Sequence, residues 1–235
     1  MFMQVSAVIA AGGHGKRMNS SVSKQFLTIK GHPILYYTLN KFEKMDVISS
    51  IVLVTGVDDM DYTRNEIIRK YGFKKVKLVE GGKERQDSVY NGLRELSPQT
   101  DIVVIHDGVR PFVPIKLIEK SITAAIKYKA VGVAVPVKDT IKIVGDGNTI
   151  KSTPDRKTLW SIQTPQTFKY DLILAAYEKA ISEGFYGTDD TVLVERMGLS
   201  VKIIEGAYEN IKITTPEDII FAEAFVALGF GDFRR

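Results

Sequence analysis

At 235 residues, with 44% hydrophobic side chains and a formal net charge of +4, the chain is long enough for one large α/β domain or two small ones. It contains no cysteine, which excludes disulfides, thiolate metal sites and a cysteine nucleophile, and no apolar run of about 18 residues, so no membrane span is expected. Its basic residues are spread along the chain rather than gathered in a tail, which suits phosphorylated small molecules and argues against nucleic acid as a partner.

Residues 3–10, MQVSAVIA, read as a strand. No basic leader or cleavage motif precedes it, so a cytoplasmic location is expected. The strand runs into Ala11-Gly12-Gly13-His14-Gly15-Lys16-Arg17, with Lys24 a few residues on. Glycines let the backbone approach a ligand closely, and successive N–H groups in such a turn form a concavity for anions. The stretch is neither a Walker loop nor a Gly-x-Gly-x-x-Gly dinucleotide fingerprint. Ahead lie a helix over 32–42, a strand over 50–55, and a helix capped by Asp58 or Asp59 that stops at Gly72. A strand over 76–79 ends in Gly81-Gly82 and is followed by a helix over 85–96. The β-branched strand 101–106 delivers Asp107. Pro114 opens a helix over 114–129, and 131–135 is a further strand.

This β-α alternation predicts an α/β fold, a mostly parallel Rossmann-like sheet with helices on both faces. Ligands in such sheets bind beyond the carboxyl ends of the strands, where the strand order reverses. The glycine loop, Gly81-Gly82 and Asp107 all fall on that edge. From Lys138 the pattern changes to alternation around Gly145-Asp146-Gly147-Asn148, a hairpin signal. The segment 138–158 is expected to project as a β-arm that needs a partner surface, since a lone hairpin is marginal in water. The chain returns through Asp155-Arg156 and Leu159-Trp160 to residues 163–168, where no strand is predicted. Helices follow over 170–183 and 188–197, the second capped by Thr188-Asp189-Asp190. Next come a strand over 199–204, an extended piece over 210–213, and a last helix opened by Thr215-Pro216-Glu217-Asp218. Residues 1–228 read as a single domain including the arm, and 229–235 as a flexible tail.

Four groups of residues carry chemistry. Arg17 and Lys24 are fixed cations beside the glycine turn, of the kind that stabilises charge developing on phosphorus; the plain alternative is two solvated surface charges. Asp107 is a hard oxygen ligand suited to Mg²⁺; the alternative is a capping Asp paired with Arg110. Within Gly81-Gly82-Lys83-Glu84-Arg85-Gln86-Asp87-Ser88, Arg85 and Ser88 can hydrogen-bond a base or ribose, or simply belong to a helix N-terminus. Arg156 and Lys212 suit a phosphate monoester, though each alone reads as a surface residue. His106 reads as a packed histidine. There is no Ser-His-Asp set, which fits a reaction whose nucleophile is the substrate's own phosphate.

Taken in order over about residues 5–227, these motifs resemble the 2-C-methyl-D-erythritol 4-phosphate cytidylyltransferases, a nucleotidyltransferase family of isoprenoid synthesis. The likeness extends to Val135-Pro136-Val137-Lys138-Asp139-Thr140, Gln163-Thr164-Pro165-Gln166-Thr167-Phe168 and Asn210-Ile211-Lys212-Ile213. The resemblance implies CTP on Ala11, Gly12, Gly13 and Gly15, with Gly82, Arg85, Ser88 and Gly108 completing the nucleotide site and Mg²⁺ at Asp107. It implies Arg17 and Lys24 as stabilisers of five-coordinate phosphorus. Arg156 and Lys212 would position the attacking polyol phosphate, with Thr140, Arg110, Thr164 and Thr188 nearby. It further implies a homodimer whose arms cross, so that Thr140, Arg110 and Arg156 act in the neighbouring subunit. Two positions depart from the commoner pattern: Gly12 stands where Ala is frequent, a form also seen in ribitol 5-phosphate cytidylyltransferases, and so does Gly108. Asp155-Arg156 with Leu159-Trp160 favours the methylerythritol enzymes over the ribitol ones. A nucleotide-binding regulator without catalysis is the alternative from another class.

Overall fold

Successive strand residues point to opposite faces of a sheet, and here both faces are apolar. The computed structural model describes residues 3–13 and 22–230. In β1 (Val5–Ala10), Val5, Ala7 and Ile9 enter one buried cluster while Val8 enters another. The same division holds in β2 (Ile48–Thr55), where Ile51 and Leu53 face one way and Val52 and Val54 the other. Strands covered on two sides read as continuous apolar runs, which is why these elements are evident in the sequence.

Helix α1 (Ile34–Glu43) follows β1, and β3 (Val76–Glu80), α2 (Arg85–Arg94), β4 (Ile102–Asp107), α3 (Ile115–Tyr128) and β5 (Ala130–Pro136) follow β2. The exposed ladder of β6 (Ile143–Val144) and β7 (Ile150–Ser152) comes next, then β8 (Trp160–Lys169) and α4 (Tyr170–Ser182). The chain closes with α5 (Thr191–Arg196), β9 (Lys202–Glu205) and α6 (Pro216–Ala227). The main sheet has seven strands in the order β9-β5-β8-β4-β1-β2-β3. All its pairings are parallel except those of β8, which runs antiparallel to both β4 and β5. The strand order reverses between β1 and β4, so the carboxyl ends of these two strands flank the crevice expected of such sheets.

Several local expectations are corrected. The return over 163–168, to which no element is assigned from the sequence, is the strand β8. The helix expected from Asp58 or Asp59 to Tyr71 is present and stops at Gly72, but it changes type along its length, from a 3-10 turn (Val57–Asp59) through one α turn (Met60–Tyr62) to a π segment (Thr63–Arg69). Pro114 is the N-cap of α3 with extended backbone, not its first helical residue. The cap of α5 is Asp190, so Thr188 and Asp189 precede the helix. Thr215 and Asp218 form the reciprocal capping box foreseen for α6. The start of the expected tail is ordered: Gly229 takes φ 80°. Its N–H bonds the Val226 carbonyl while Phe230 N–H bonds that of Phe225. That is a Schellman closure with its usual apolar contact, here the Phe225 and Phe230 rings 5.4 Å apart. Residues 231–235 lie outside the described residues. No helix among the described residues is long and apolar enough to cross a membrane.

Helix α2 approaches β1 and β2 through Gly92. A Cβ there would sit 2.7 Å from Val8 Cγ1 and 2.8 Å from Val54 Cγ2. Gly92→Ala should therefore destabilise the fold by about 1–3 kcal/mol from overpacking, although alanine favours an isolated helix by about 1 kcal/mol. Urea unfolding with an unchanged m-value is the measurement; a stabilised variant would contradict this packing.

Candidate active site

The carboxyl ends of β1, β2 and β4 open onto a cavity of about 800 Å³. Its floor is Ala11-Gly12-Gly13, which leaves β1 with the Ala11 N–H bonded to the Val54 carbonyl at 2.8 Å. At Gly12 a Cβ would meet nothing nearer than 3.6 Å. Lys24 reaches into the cavity and lies against Gly13, its Nζ 3.7 Å from where a Cβ would stand. Opposite, Gly81 and Gly82 leave β3. Ser88 Oγ accepts the Gly82 N–H at 3.1 Å and donates to the Glu84 carbonyl at 3.0 Å, which closes this turn onto the start of α2. A Cβ on Gly82 would come within 2.3 Å of Asp87 Cβ, so the tightness of this turn depends on glycine.

Asp107, the last residue of β4, carries the charge of the site. Arg85 Nε lies 3.2 Å from its Oδ1, and Lys212 Nζ and Arg110 Nε lie 2.9 and 3.4 Å from its Oδ2. Burial alone would raise the pKa of this carboxyl. The three cations outweigh burial and hold it well below the usual carboxylate range. Arg85 is braced from behind: its terminal nitrogens form a two-pronged pair with the fully buried Asp190, at 2.8 and 2.9 Å. Tyr177 also donates to Asp190, and Gln166 Oε1 accepts the Asp190 N–H. The guanidinium expected to meet a base or ribose is thus already tied to two carboxylates. Asp190 was legible only as a cap; its role in the brace follows from the tertiary structure.

His106 completes the support. It is fully buried and makes two contacts whose donors follow from their ends. Nε2 is 3.1 Å from the Arg110 carbonyl, which can only accept, so Nε2 bears the proton. Nδ1 then accepts from Thr164 Oγ1 at 3.0 Å, and Thr164 Oγ1 accepts the Asp107 N–H at 3.1 Å. Burial pushes the ring down to about 3, so it stays neutral.

Residues 5–228 match the family described as 2-C-methyl-D-erythritol 4-phosphate cytidylyltransferase. The chain belongs to that family. It is thus a nucleotidyltransferase, and its similarity to individual members is high. It is 51% identical over 225 residues to the 2-C-methyl-D-erythritol 4-phosphate cytidylyltransferase of Caldanaerobacter subterraneus subsp. tengcongensis, covering 95% of this chain and 99% of that one. The enzyme of the same name from Clostridioides difficile is 51% identical over 218 residues, with 93% and 92% covered. Among solved structures, the 4-diphosphocytidyl-2C-methyl-D-erythritol synthase of Anaerococcus prevotii superposes with a TM-score of 0.85 at 40% identity, covering 96% of each chain.

The candidate residues of a cytidylyltransferase distribute as follows. Ala11, Gly12, Gly13, Lys24, Gly82, Arg85, Ser88, Asp107 and Lys212 line the one cavity. Thr164 and Arg110 stand behind it, bonded into the Asp107 and His106 network. Gly108 is buried beside Ala11, with its N–H on the Ala10 carbonyl at 2.8 Å. Thr188 is exposed, next to a smaller hollow of about 380 Å³ bounded by Arg85, Tyr186 and Gly187. Thr140 and Arg156 are exposed on the arm and do not reach the cavity of their own chain; Arg156 Nη1 bonds the Lys138 carbonyl at 2.9 Å. Gly15 and Arg17 lie outside the described residues. Among those residues no group of three or more His, Cys, Asp or Glu side chains could hold a metal ion. The carboxylate of Asp107, kept ionised at the cavity wall, suits an ion completed by water and substrate phosphates, the usual Mg²⁺ arrangement.

The neutral histidine makes stability depend on acid. As pH falls from 6.5 towards 3, the unfolded chain gains a proton on residue 106 that the folded chain refuses, so stability falls by on the order of 4 kcal/mol. The depressed Asp107 carboxyl adds a loss at still lower pH, below its unfolded value near 4. Urea titrations across this range should show the loss, and His106→Gln, which keeps a donor for the Arg110 carbonyl, should flatten it between pH 6.5 and 4. An unchanged slope in that variant would contradict a buried neutral ring.

Proposed function

We propose that this chain joins CTP and 2-C-methyl-D-erythritol 4-phosphate into 4-diphosphocytidyl-2-C-methyl-D-erythritol and pyrophosphate. A phosphate oxygen of the polyol forms the new bond to the α-phosphorus of CTP. The bond from that phosphorus to the bridging oxygen breaks, and pyrophosphate leaves with the electron pair. One observation carries the reading: Lys24 and Lys212, nearly 190 residues apart, line one cavity with a glycine floor and an ionised carboxylate.

The N–H groups of Gly12 and Gly13 cradle the triphosphate, and the Gly82–Ser88 turn faces cytosine and ribose. Lys24, together with Arg17, stabilises the charge that builds on the equatorial oxygens, where positioned cations act without reorganising. When bound, Mg²⁺ on Asp107 neutralises phosphate charge and orients the leaving group. Lys212, 2.9 Å from Asp107, lines the same cavity and supplies the cation for the incoming polyol phosphate. Thr164 and Arg110 support the polyol side from behind, through Asp107 and His106, and Arg110 does so within its own chain rather than in the neighbouring one.

Arg156 and Thr140 enter from a second copy of the chain. The arm that bears them is exposed along its length, with Ile143, Val144 and Ile150 at 49, 55 and 59% exposure. Apolar residues at that exposure on a two-stranded ladder favour a covering surface, and a homodimer with exchanged arms supplies both the cover and the missing cation.

Two measurements test this. Pyrophosphate release with CTP and Mg²⁺ should require methylerythritol phosphate. Release with ribitol 5-phosphate alone would transfer the assignment to that substrate. Lys24→Ala should lower kcat by about 10²–10³-fold with a much smaller change in the KM for CTP, and equal losses in both would reduce Lys24 to a binding residue.

The exchange of arms has its own signature. Lys24→Ala and Arg156→Ala chains, each inactive alone, should regain about a quarter of the parent activity after mixing and subunit exchange. In a random mixture half the dimers are mixed, and each of those has one intact site. No recovery, with exchange shown by a mass tag, would place Arg156 in the site of its own chain or outside it.

A further inference from the structure

Lys24 carries its charge on a flexible four-carbon stem, so its usefulness depends on how firmly its backbone is held. The residues on either side of it donate to the same carboxylate. Ser23 Oγ lies 3.1 and 2.9 Å from Asp59 Oδ1 and Oδ2, and Gln25 Nε2 lies 3.0 Å from Oδ2. Ser23 stands at the N-cap of the single 3-10 turn Lys24–Phe26, yet its hydroxyl makes no capping bond there. Asp59 stands at the head of the helical stretch after β2, and its carboxylate likewise makes no capping bond. Both side chains forgo their local bonds for one across 36 residues of sequence. Gln25 is fully buried, and Gly56, Val57 and Asp58, which lead to Asp59, line the same cavity as Lys24. The carboxylate thus ties the segment bearing the ammonium to the end of the sheet. Two donors flanking Lys24 and landing on one acceptor group fix both the height and the roll of the turn.

We propose that Asp59 is a positioning residue for nucleotidyl transfer, acting through the Ser23 and Gln25 side chains to hold Lys24 over the phosphate-binding floor. This rests on the catalytic reading of Lys24 above. A misplacement of about 1 Å in a stabilising group can cost about 10²-fold in rate, so the tether contributes through kcat rather than through affinity.

The test uses the full chain with CTP, methylerythritol phosphate and Mg²⁺. Asp59→Asn should lower kcat about tenfold and Asp59→Ala more, with the KM for CTP moving less than about twofold. Ser23→Ala combined with Gln25→Ala removes the donors instead of the acceptor, guards against a folding defect at position 59, and should repeat the pattern. In the Lys24→Ala background, Asp59→Asn should cost less than about twofold further, because the group it positions is gone. Amide exchange over 22–27 should rise in Asp59→Asn while exchange in β1 stays as in the parent. Equal losses with and without Lys24, or full kcat in both Asp59→Ala and the donor pair, would overturn the proposal alone. Unchanged kcat in Lys24→Ala would instead refute the catalytic reading of Lys24, and the proposal with it.

Discussion

Everything at the active site is arranged about one buried anion. Asp107 stands at the end of a strand whose six residues are all buried, and an ionised carboxylate cannot remain there without compensation. Three cations supply it, one each from α2, the loop after β4 and the segment before α6. These elements are far apart in sequence, so the carboxylate is also a point where the chain is gathered. Removing one member of a buried ionic cluster commonly costs about 3–5 kcal/mol, and a site whose ions are also its tie points resists distortion. The cost of that arrangement is an excess of positive charge at the cavity wall. Asp190 offsets part of it from behind Arg85, on the side away from the cavity. What is left faces the opening, where Lys24 adds to it, and a polyphosphate is the ligand that completes the balance.

The antiparallel strand β8 explains how such a cluster can be buried at all. Its middle carries Gln163, Thr164, Gln166 and Thr167, all buried, between the ends of β4 and β5. Each has a defined partner. Gln163 Nε2 donates to the Ala207 carbonyl and Gln166 Nε2 to Asp189, while Thr167 shares a hydrogen bond with Ser121. Buried amides and hydroxyls are tolerated when they are satisfied in this way. They serve as polar cladding for the charged end of the sheet, beside the buried His106 and Asp107 of β4. Thr164 joins the cladding to the charge, since its hydroxyl lies between the Asp107 N–H and the His106 ring.

That same polarity hid β8 in the sequence. A strand announces itself by alternation or by an apolar run, and SIQTPQTF has neither. The parallel strands were legible because burial on both faces leaves runs such as IVLV and IVVI. The capping box of α6 was legible because it is formed by residues three apart. Asp190 and Asp59 were read as caps for the same reason, since an Asp just before a helical pattern is usually one. Both carboxylates are instead drawn away by donors from distant elements, Arg85 and Tyr177 in one case and Ser23 and Gln25 in the other. A local rule has no access to such competition. The glycine turns and Asp107 line the cavity because they sit at strand ends, where topology brings them together, whereas Lys212 reaches it from the loop between β9 and α6. Arg156 and Thr140 lie on an arm that leaves the sheet, and no single-chain topology returns them to the cavity.

The two glycines that depart from the commoner family pattern are not equivalent. At Gly12 an added methyl group would find only ordinary contacts, so alanine there is a choice the protein's own packing leaves open. At Gly108 a Cβ would lie 3.0 Å from Ala11 Cβ, 3.1 Å from Leu35 Cδ1 and 3.2 Å from the Ala10 carbonyl oxygen. Alanine at this position needs the ends of β1 and β4 to stand slightly further apart. Glycine lets the Gly108 N–H close onto the Ala10 carbonyl and draws Asp107 against the turn that begins at Ala11. Position 108 thus limits how closely the end of β4 can approach the turn that begins at Ala11.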